Sequence, residues 1–413
     1  MSTYEAAQEG YHFNNAGYIT TLRPNVLTNE DLKWETTDQW NVGLDFGMWD
    51  GRLTVVADAY YKNTYDLLQS RIVTYNSGFS NMYVNQGSIL NKGVEITLET
   101  VPVSIRGFEW KLSGNISFNR NTLTDLGYEG NADDFYFTPG VKTQQRYYTG
   151  ANIGSGGYHS EQPVNIYMQG QPIGLFYGYK TDGLVQEGEY GIPYSAANYK
   201  AGIYPTPGSI KYVDMNGDGY IDSNDRTVIG DANAKFTYGF STSFTIGQWK
   251  LSAVFQGSYG NQILNANNLQ YIDTHRLTSP QNVLRASVNK AWTVTNPTNF
   301  YVGLADPTNY YGTLFENVWH SNEKNYVTDR DLEDASYLRL SSVSLGYTLN
   351  LPKKSYLKRV IFAVNVGNAF ILTKYSGYSP IVNSYNISSK RIGVDSGGYP
   401  ASRTYGFDVK LSF

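Results

Sequence analysis

Apolar and polar residues alternate with period two over stretches of roughly ten residues, and such stretches recur to the end of the chain. In the first, Trp40, Val42, Leu44, Phe46 and Met48 form one face. Gln39, Asn41, Gly43, Asp45 and Gly47 form the other. A Trp49-Asp50-Gly51 turn leads into Leu53, Val55, Ala57, Ala59 and Tyr61. Val94, Ile96 and Leu98 follow, then Phe108, Trp110, Leu112, Ile116 and Phe118. Phe236, Tyr238, Phe240, Phe244 and Ile246 turn at Gly247-Gln248 into Trp249, Leu251, Ala253, Phe255 and Tyr259. In 337–349, Leu338 and Leu340 fit one register and Val343, Leu345, Tyr347 and Leu349 the other. This predicts a bulge near Ser341-Ser342. Val360, Phe362, Val364 and Val366 pair with Tyr405, Phe407, Val409, Leu411 and Phe413.

Charge decides what these faces touch. Asp45, Asp58, Lys62, Glu95, Glu99, Glu109, Lys111, Lys250, Asp408 and Lys410 all stand in the opposite register. A Lys or Arg facing lipid at mid-depth costs about 2–4 kcal/mol, so one-sided exclusion of charge is the mark of a lipid-facing side. A soluble sandwich also alternates, but its strands run to about 5–6 residues. These run longer, at the length that crosses a bilayer at a tilt. The expected fold class is all-β, an antiparallel transmembrane β-barrel portion with long extracellular loops.

Connection lengths supply the topology. Short turns are expected after Met48, Val101, Ile246 and Leu349, and long loops over 63–87, 119–234, 261–335 and 369–401. Barrels of this class have short periplasmic turns and long extracellular loops. The count is about nine spanning strands, with the C-terminus periplasmic. Residues 1–35 then form an extracellular loop segment and 36–413 the barrel portion. An open sheet would leave two unpaired edges in lipid, so the chain is expected to be part of a larger wall. The opening Met1-Ser2-Thr3-Tyr4-Glu5 has no basic and apolar leader, which fits that expectation.

Composition agrees. Among 413 residues there are 37 Tyr and 41 Gly, and only 16% are charged, against about a quarter in soluble domains. Tyr and Trp suit the water–lipid boundary. A net charge of −4 gives no sign of nucleic-acid binding. Without cysteine, neither disulfides nor thiolate chemistry is available.

Several stretches, in order over nearly the whole chain, resemble the SusC/RagA family of TonB-linked outer-membrane proteins. Leu32-Lys33-Trp34-Glu35-Thr36-Thr37 and Asn41-Val42-Gly43-Leu44-Asp45-Phe46 are similar to the start of a late barrel strand there. Tyr60-Tyr61-Lys62-Asn63-Thr64-Tyr65-Asp66-Leu67-Leu68 and Asn91-Lys92-Gly93-Val94-Glu95 resemble the hairpin that follows. Asp225-Arg226, Tyr238-Gly239-Phe240, Phe255-Gln256-Gly257-Ser258-Tyr259-Gly260, Ser336-Tyr337-Leu338-Arg339-Leu340 and Lys374-Tyr375-Ser376-Gly377-Tyr378 continue the likeness. The resemblance implies a barrel of roughly 22 strands, plugged in the whole protein. It implies import of oligosaccharides or peptides, a SusD-type surface lipoprotein over the barrel, and drive from TonB–ExbB–ExbD through a plug-bearing N-terminal part that nothing here matches. Tyr405, Phe407, Val409, Leu411 and Phe413 look like the signal read by the barrel-assembly machinery. Outer-membrane lipid is the remaining partner, and no enzymatic role is implied.

One motif carries chemistry of its own. Residues 214–225 match the twelve-residue calcium-loop template. Asp214, Asn216 and Asp218 would give the first oxygens, Tyr220 its carbonyl, Asp222 a direct or water-borne ligand, and Asp225 would close the site. Gly219 permits the sharp turn. A Gly/Asp-rich turn without an ion fits the same residues. No catalytic set stands out, and no other cofactor is required. His12, His159, His275 and His320 lack metal spacing. Gly154-Ser155-Gly156-Gly157 lacks the strand and helix of a phosphate cradle. Phe135-Tyr136-Phe137, Tyr147-Tyr148, Tyr310-Tyr311 and Trp319 could stack on sugars, support a lid protein, or pack loops together. Asn41, Asp45, Glu95 and Glu109 are expected to line the inward wall. The competing reading is a secreted, calcium-stabilised all-β protein that binds or cleaves glycans.

Overall fold

The computed structural model describes residues 26–73, 75–79, 81–127, 133–138, 141–150, 163–194, 205, 207–271, 285–299, 327–352, 355–381 and 391–413, with two short strands at Tyr4–Ala7 and Thr21–Pro24. Nine strands make one antiparallel sheet in which each pairs with the next along the chain. They are β1 (Thr36–Met48), β2 (Leu53–Tyr65), β3 (Ser88–Ile105), β4 (Phe108–Asp125), β5 (Phe236–Ile246), β6 (Trp249–Tyr259), β7 (Tyr337–Asn350), β8 (Arg359–Thr373) and β9 (Thr404–Ser412). β1 and β9 are the two edges of that sheet.

Register makes the alternating residues into one continuous face. Val42 pairs with Ala59, Ala59 with Val94, and Val94 with Phe118. Further along, Phe240 meets Phe255, Phe255 meets Leu340, and Leu340 meets Phe370. At the far edge Phe362 pairs with Val409 and Val364 with Phe407. Rings stack across this face: Phe240 lies 4.4 Å from Phe255 and Trp110 5.7 Å from Phe244, measured between centroids. Among the described residues no second sheet covers it. Trp40 is 76% exposed, Val42 74% and Phe407 67%, where a sandwich would have buried them. Removing one such side chain from water is worth about 1.5–3 kcal/mol, so a face this large demands an apolar surrounding.

β7 has its irregularity where the register switch predicted it. Pairing jumps from Phe255↔Leu340 to Val254↔Ser342, so Ser341 is the extra residue. Its hydroxyl donates to the Val254 carbonyl at 2.9 Å. The extra residue returns Val343 and Leu345 to the outward side after Leu340. The Trp49-Asp50-Gly51 turn takes positive φ at all three residues (52°, 53°, 81°), which suits a tight hairpin whose twist follows its strands.

Two expected boundaries are corrected, and two charges depart from the one-sided exclusion. β3 does not turn at Val101 but continues to Ile105. A shift between Thr100 and Val103 lets Val103 and Ile105 rejoin the apolar face, and that break in alternation resembles a turn in sequence. The connection expected to start at 119 starts after Asp125, because the polar run from Asn119 pairs with residues 88–93 of β3. Finally, Lys92 and Arg120, which oppose each other, stand in the outward register at the long-connection end. Among the described residues no helix is long and apolar enough to cross a membrane, which says nothing about strands.

The tightest packing lies outside the sheet. Val164, Phe176, Leu264, Ala266, Val327 and Val394 form a buried cluster, drawn from the three connections after β4, β6 and β8. Ile166, Met168, Leu175 and Tyr177 make a second. The described parts of these three connections therefore pack into one crown at their end of the sheet. Residues 26–35 pack beside the hairpin after β2: the Leu27 N–H donates to the Asn81 carbonyl at 3.0 Å and the Lys33 N–H to Asn85 Oδ1 at 2.7 Å.

Candidate functional site

The wall has a second face, and it is polar. Gly43 pairs with Asp58 and Asp58 with Glu95, while Asp45 pairs with Val56. Ser117 donates to Glu95 Oε1 at 3.1 Å, and Lys111 bridges Glu109 at 3.1 Å. Tyr60 lies over Gly93, whose missing side chain leaves the room, and its hydroxyl donates to Asn119 Oδ1 at 2.9 Å. Asn41, Asp45, Glu95 and Glu109 thus share the face that the alternation assigned them. Nothing among them is arranged for nucleophilic or acid–base chemistry.

Strand length matches a bilayer. β6 carries Trp249 and Tyr259 at its ends over 11 residues, about 33 Å along the strand at 3.3 Å per residue. Tilted by about 40°, it rises ~25 Å, the height of an apolar band between two aromatic girdles. Trp249 packs on Tyr347 at 4.8 Å and Phe236 on Tyr259 at 5.1 Å, so each end of the band has its ring pair.

In the crown, buried polar bonds join segments far apart in sequence. Asn165 is wholly buried; its amide donates to the Leu175 and Ile392 carbonyls at 3.3 and 3.2 Å and its oxygen accepts the Ile392 N–H at 2.9 Å. Tyr375 donates to buried Asp395 at 2.5 Å. Burial, then that carboxylate, push the Tyr375 phenol far above its ordinary value, so it stays a donor. Glu333 accepts from Ser376, Asn265 and Asn268. Arg226 donates to the Pro163 carbonyl at 2.8 Å and stands 4.1 Å over the Tyr177 ring. Sequence reading missed these welds. Their partners lie tens to hundreds of residues apart, within one connection or in two, and no local pattern announces that.

The 214–225 loop folds as a ladder of side-chain turns. Asp214 accepts the Gly217 and Gly219 N–H groups at 2.6 and 2.7 Å, Asp218 that of Tyr220 at 2.8 Å, and Asp222 that of Asn224 at 2.7 Å. Asp225 is buried and accepts from Met215 and Asp222 at 2.8 and 2.7 Å. Burial raises its carboxyl above the usual range despite those bonds. Gly217 and Gly219 have φ of 76° and 86°, so the turn needs glycine there. Ile210–Tyr212 pairs with Thr181–Leu184 just before it. Among the described residues no three Asp, Glu or His side chains converge closely enough to hold an ion as they stand.

The C-terminal residues Tyr405, Phe407, Val409, Leu411 and Phe413 are all exposed on the apolar side of β9 and just past its end. Tyr147 and Tyr148 are half-buried, and Tyr147 lies 6.0 Å from Tyr177, a packing contact between parts of one connection. The four histidines, Gly154-Ser155-Gly156-Gly157, Tyr310-Tyr311 and Trp319 lie outside the described residues, as do the side chains of Phe135-Tyr136-Phe137.

Residues 3–181 match the family model described as "TonB dependent receptor-like, beta-barrel". TonB-dependent receptor P3 of Formosa agariphila is 31% identical over 94% of this chain, which covers 35% of that protein. TonB-dependent receptor SusC of Bacteroides thetaiotaomicron is 30% identical over 96% of the chain and 34% of its own length. The chain thus spans about a third of the curated relatives it matches. The solved structure titled "Structure of the RagAB peptide transporter" superposes over 100% of the chain and 38% of its own, with a TM-score of 0.70 at 22% identity. An antiparallel wall with one lipid-suited face and these likenesses define a portion of an outer-membrane β-barrel. Over nearly its whole length the chain is similar to about a third of each of these TonB-dependent receptors, and its first part to their barrel family model.

Proposed function

We propose that this chain supplies part of the wall and most of an outward crown of a nutrient importer in the outer membrane. In this reading further strands meet the edges of β1 and β9 and close the barrel, since unpaired backbone in lipid is too costly. The crown faces the cell exterior and the short turns face the periplasm. Substrates are oligosaccharides or peptides, admitted with a SusD-type lipoprotein against the crown and driven through TonB–ExbB–ExbD by a plug-bearing part of the parent protein. The likeness to the TonB-dependent receptor SusC supports TonB-driven import, and that to the RagAB peptide transporter supports a peptide ligand. The observation that carries the reading is the apolar face that runs across all nine strands, with charge only near its crown end, backed by a polar one. Such a wall has work only where lipid lies on one side and a guarded passage on the other.

The β9 residues Tyr405, Phe407, Val409, Leu411 and Phe413 are proposed to present the assembly signal. The 214–225 loop is proposed to take Ca²⁺, with Asp214, Asn216, Asp218, the Tyr220 carbonyl, Asp222 and Asp225 as donors. The order of the motif and its two-glycine turn support that role, and binding would draw the carboxylates inward. A structural cation would then stiffen the crown where it meets a lid.

The test is uptake. Cells carrying the parent receptor and its neighbouring lipoprotein should accumulate labelled oligosaccharide or peptide only while TonB is present. Uptake that persists without TonB would overturn the proposal.

A further inference from the structure

The outward face excludes charge almost everywhere; its exceptions at this end are Asp38, which pairs with Asn63 on β2, and two neighbouring cations. Lys92 on β3 and Arg120 on β4 are direct cross-strand partners and both are exposed. Two cations placed opposite each other on a sheet repel, and their surroundings offer no relief. Tyr61 pairs with Lys92 on its other side. The next pairs along the two strands are Val94↔Phe118 toward the band and Leu90↔Thr122 toward the loops. No acid occupies any of these positions, and among the described residues neither cation has an ion pair.

Their height explains the arrangement. Phe118 packs on Phe236 at 5.7 Å, and Phe236 on Tyr259, which places this row in the girdle at the crown end. Arg120 and Lys92 sit one outward-facing position further from the middle of the band. Cations there have their charge at headgroup level and their stems along apolar surface. A lipid phosphate fits this setting: Arg can hold two of its oxygens side by side, Lys adds a point charge, and the acyl chains would lie on Val94 and Phe118.

We propose that Lys92 and Arg120 form a binding site for the phosphate of an outer-leaflet membrane lipid, closed on one flank by Tyr61. The proposal rests on the orientation given above, crown outward. An anion between the two cations also removes the strain of their opposition, so the lipid locks β3 to β4 at the membrane surface.

The experiment uses the complete parent receptor, extracted in detergent and washed free of native lipid. It measures retention of a monophosphorylated lipid A by native mass spectrometry, in wild type and in the Lys92→Gln/Arg120→Gln double variant. Lys62→Gln/Lys111→Gln, on the inward face, removes the same charge elsewhere. Wild type and the inward control should retain the lipid, the double variant about ten-fold less, and the dephosphorylated lipid should be retained by none. Equal retention by the double variant, equal retention of the dephosphorylated lipid, or full displacement by inorganic phosphate at equal concentration each overturns the site. Failure of the membrane reading is seen separately, as a receptor that needs no detergent to stay in solution.

Discussion

Single residues in this chain act mostly by fixing which strand surfaces meet. Gly257 pairs with Tyr238 on the outward face, and a side chain added there would run into the Tyr238 ring. Replacing Gly257 with Leu should force the ring off the sheet and slow assembly. Overpacking of this kind costs about 1–3 kcal/mol. The check is the fraction of parent receptor that resists unfolding in cold SDS, which should fall, with Gly346→Leu as comparison because that position is open. In the crown, Tyr375→Phe removes one charge-assisted bond to a buried carboxylate. The expected loss is about 1.5–3 kcal/mol, read as a lower unfolding temperature of the parent receptor with the wall strands unaffected. Neither effect was visible in sequence. Gly257 read only as part of Phe255-Gln256-Gly257-Ser258-Tyr259-Gly260, and Tyr375 and Asp395 find each other only in the folded crown.

At the level of elements, alternation was the legible signal. It placed every wall strand, because a period of two states both the element and its inward side. It also placed the Ser341 bulge, since a two-way register is a discontinuity in that same period. It failed at Val101 and Asn119, where a bulge or a polar strand end mimics a loop. Deleting Ser341 should remove the bulge and turn either 337–340 or 342–349 to the wrong side. Expected is loss of heat-modifiable receptor from the outer membrane, whereas Ser341→Ala, which keeps the count, should assemble normally. The 214–225 loop gives a pH test. Asp225 has its carboxyl raised by burial, so protons compete with a cation for it at higher pH than for an ordinary carboxylate. Ca²⁺ affinity, measured by calorimetry on the parent receptor, should therefore rise as pH increases and level off once Asp225 is ionised. Asp225→Asn should flatten the dependence and weaken binding. An affinity independent of pH in the wild type would count against Asp225 as a ligand.

For the molecule as a whole, the sheet and the crown divide the labour. The sheet has almost no dry interior of its own. Nearly all wholly buried side chains, Phe176, Leu264 and Val394 among them, belong to the long connections. On the proposed reading the wall depends on lipid outside and on further strands at its edges, while the crown is held by its own packing. Composition and charge pattern could announce the first arrangement, because they record contact with a solvent. They could not announce the second, because the crown's contacts join residues hundreds of positions apart.

The central claim is that Trp40, Val42, Leu44 and Phe46 face hydrocarbon while Asn41, Gly43 and Asp45 face away. Single spin labels placed along 40–48 of the parent receptor in bilayers, scanned for collision with oxygen against a polar nickel chelate, address it directly. Oxygen access should peak at 40, 42, 44 and 46 and dip at the positions between. Equal access at neighbouring positions, or chelate access at the even ones, would contradict the account.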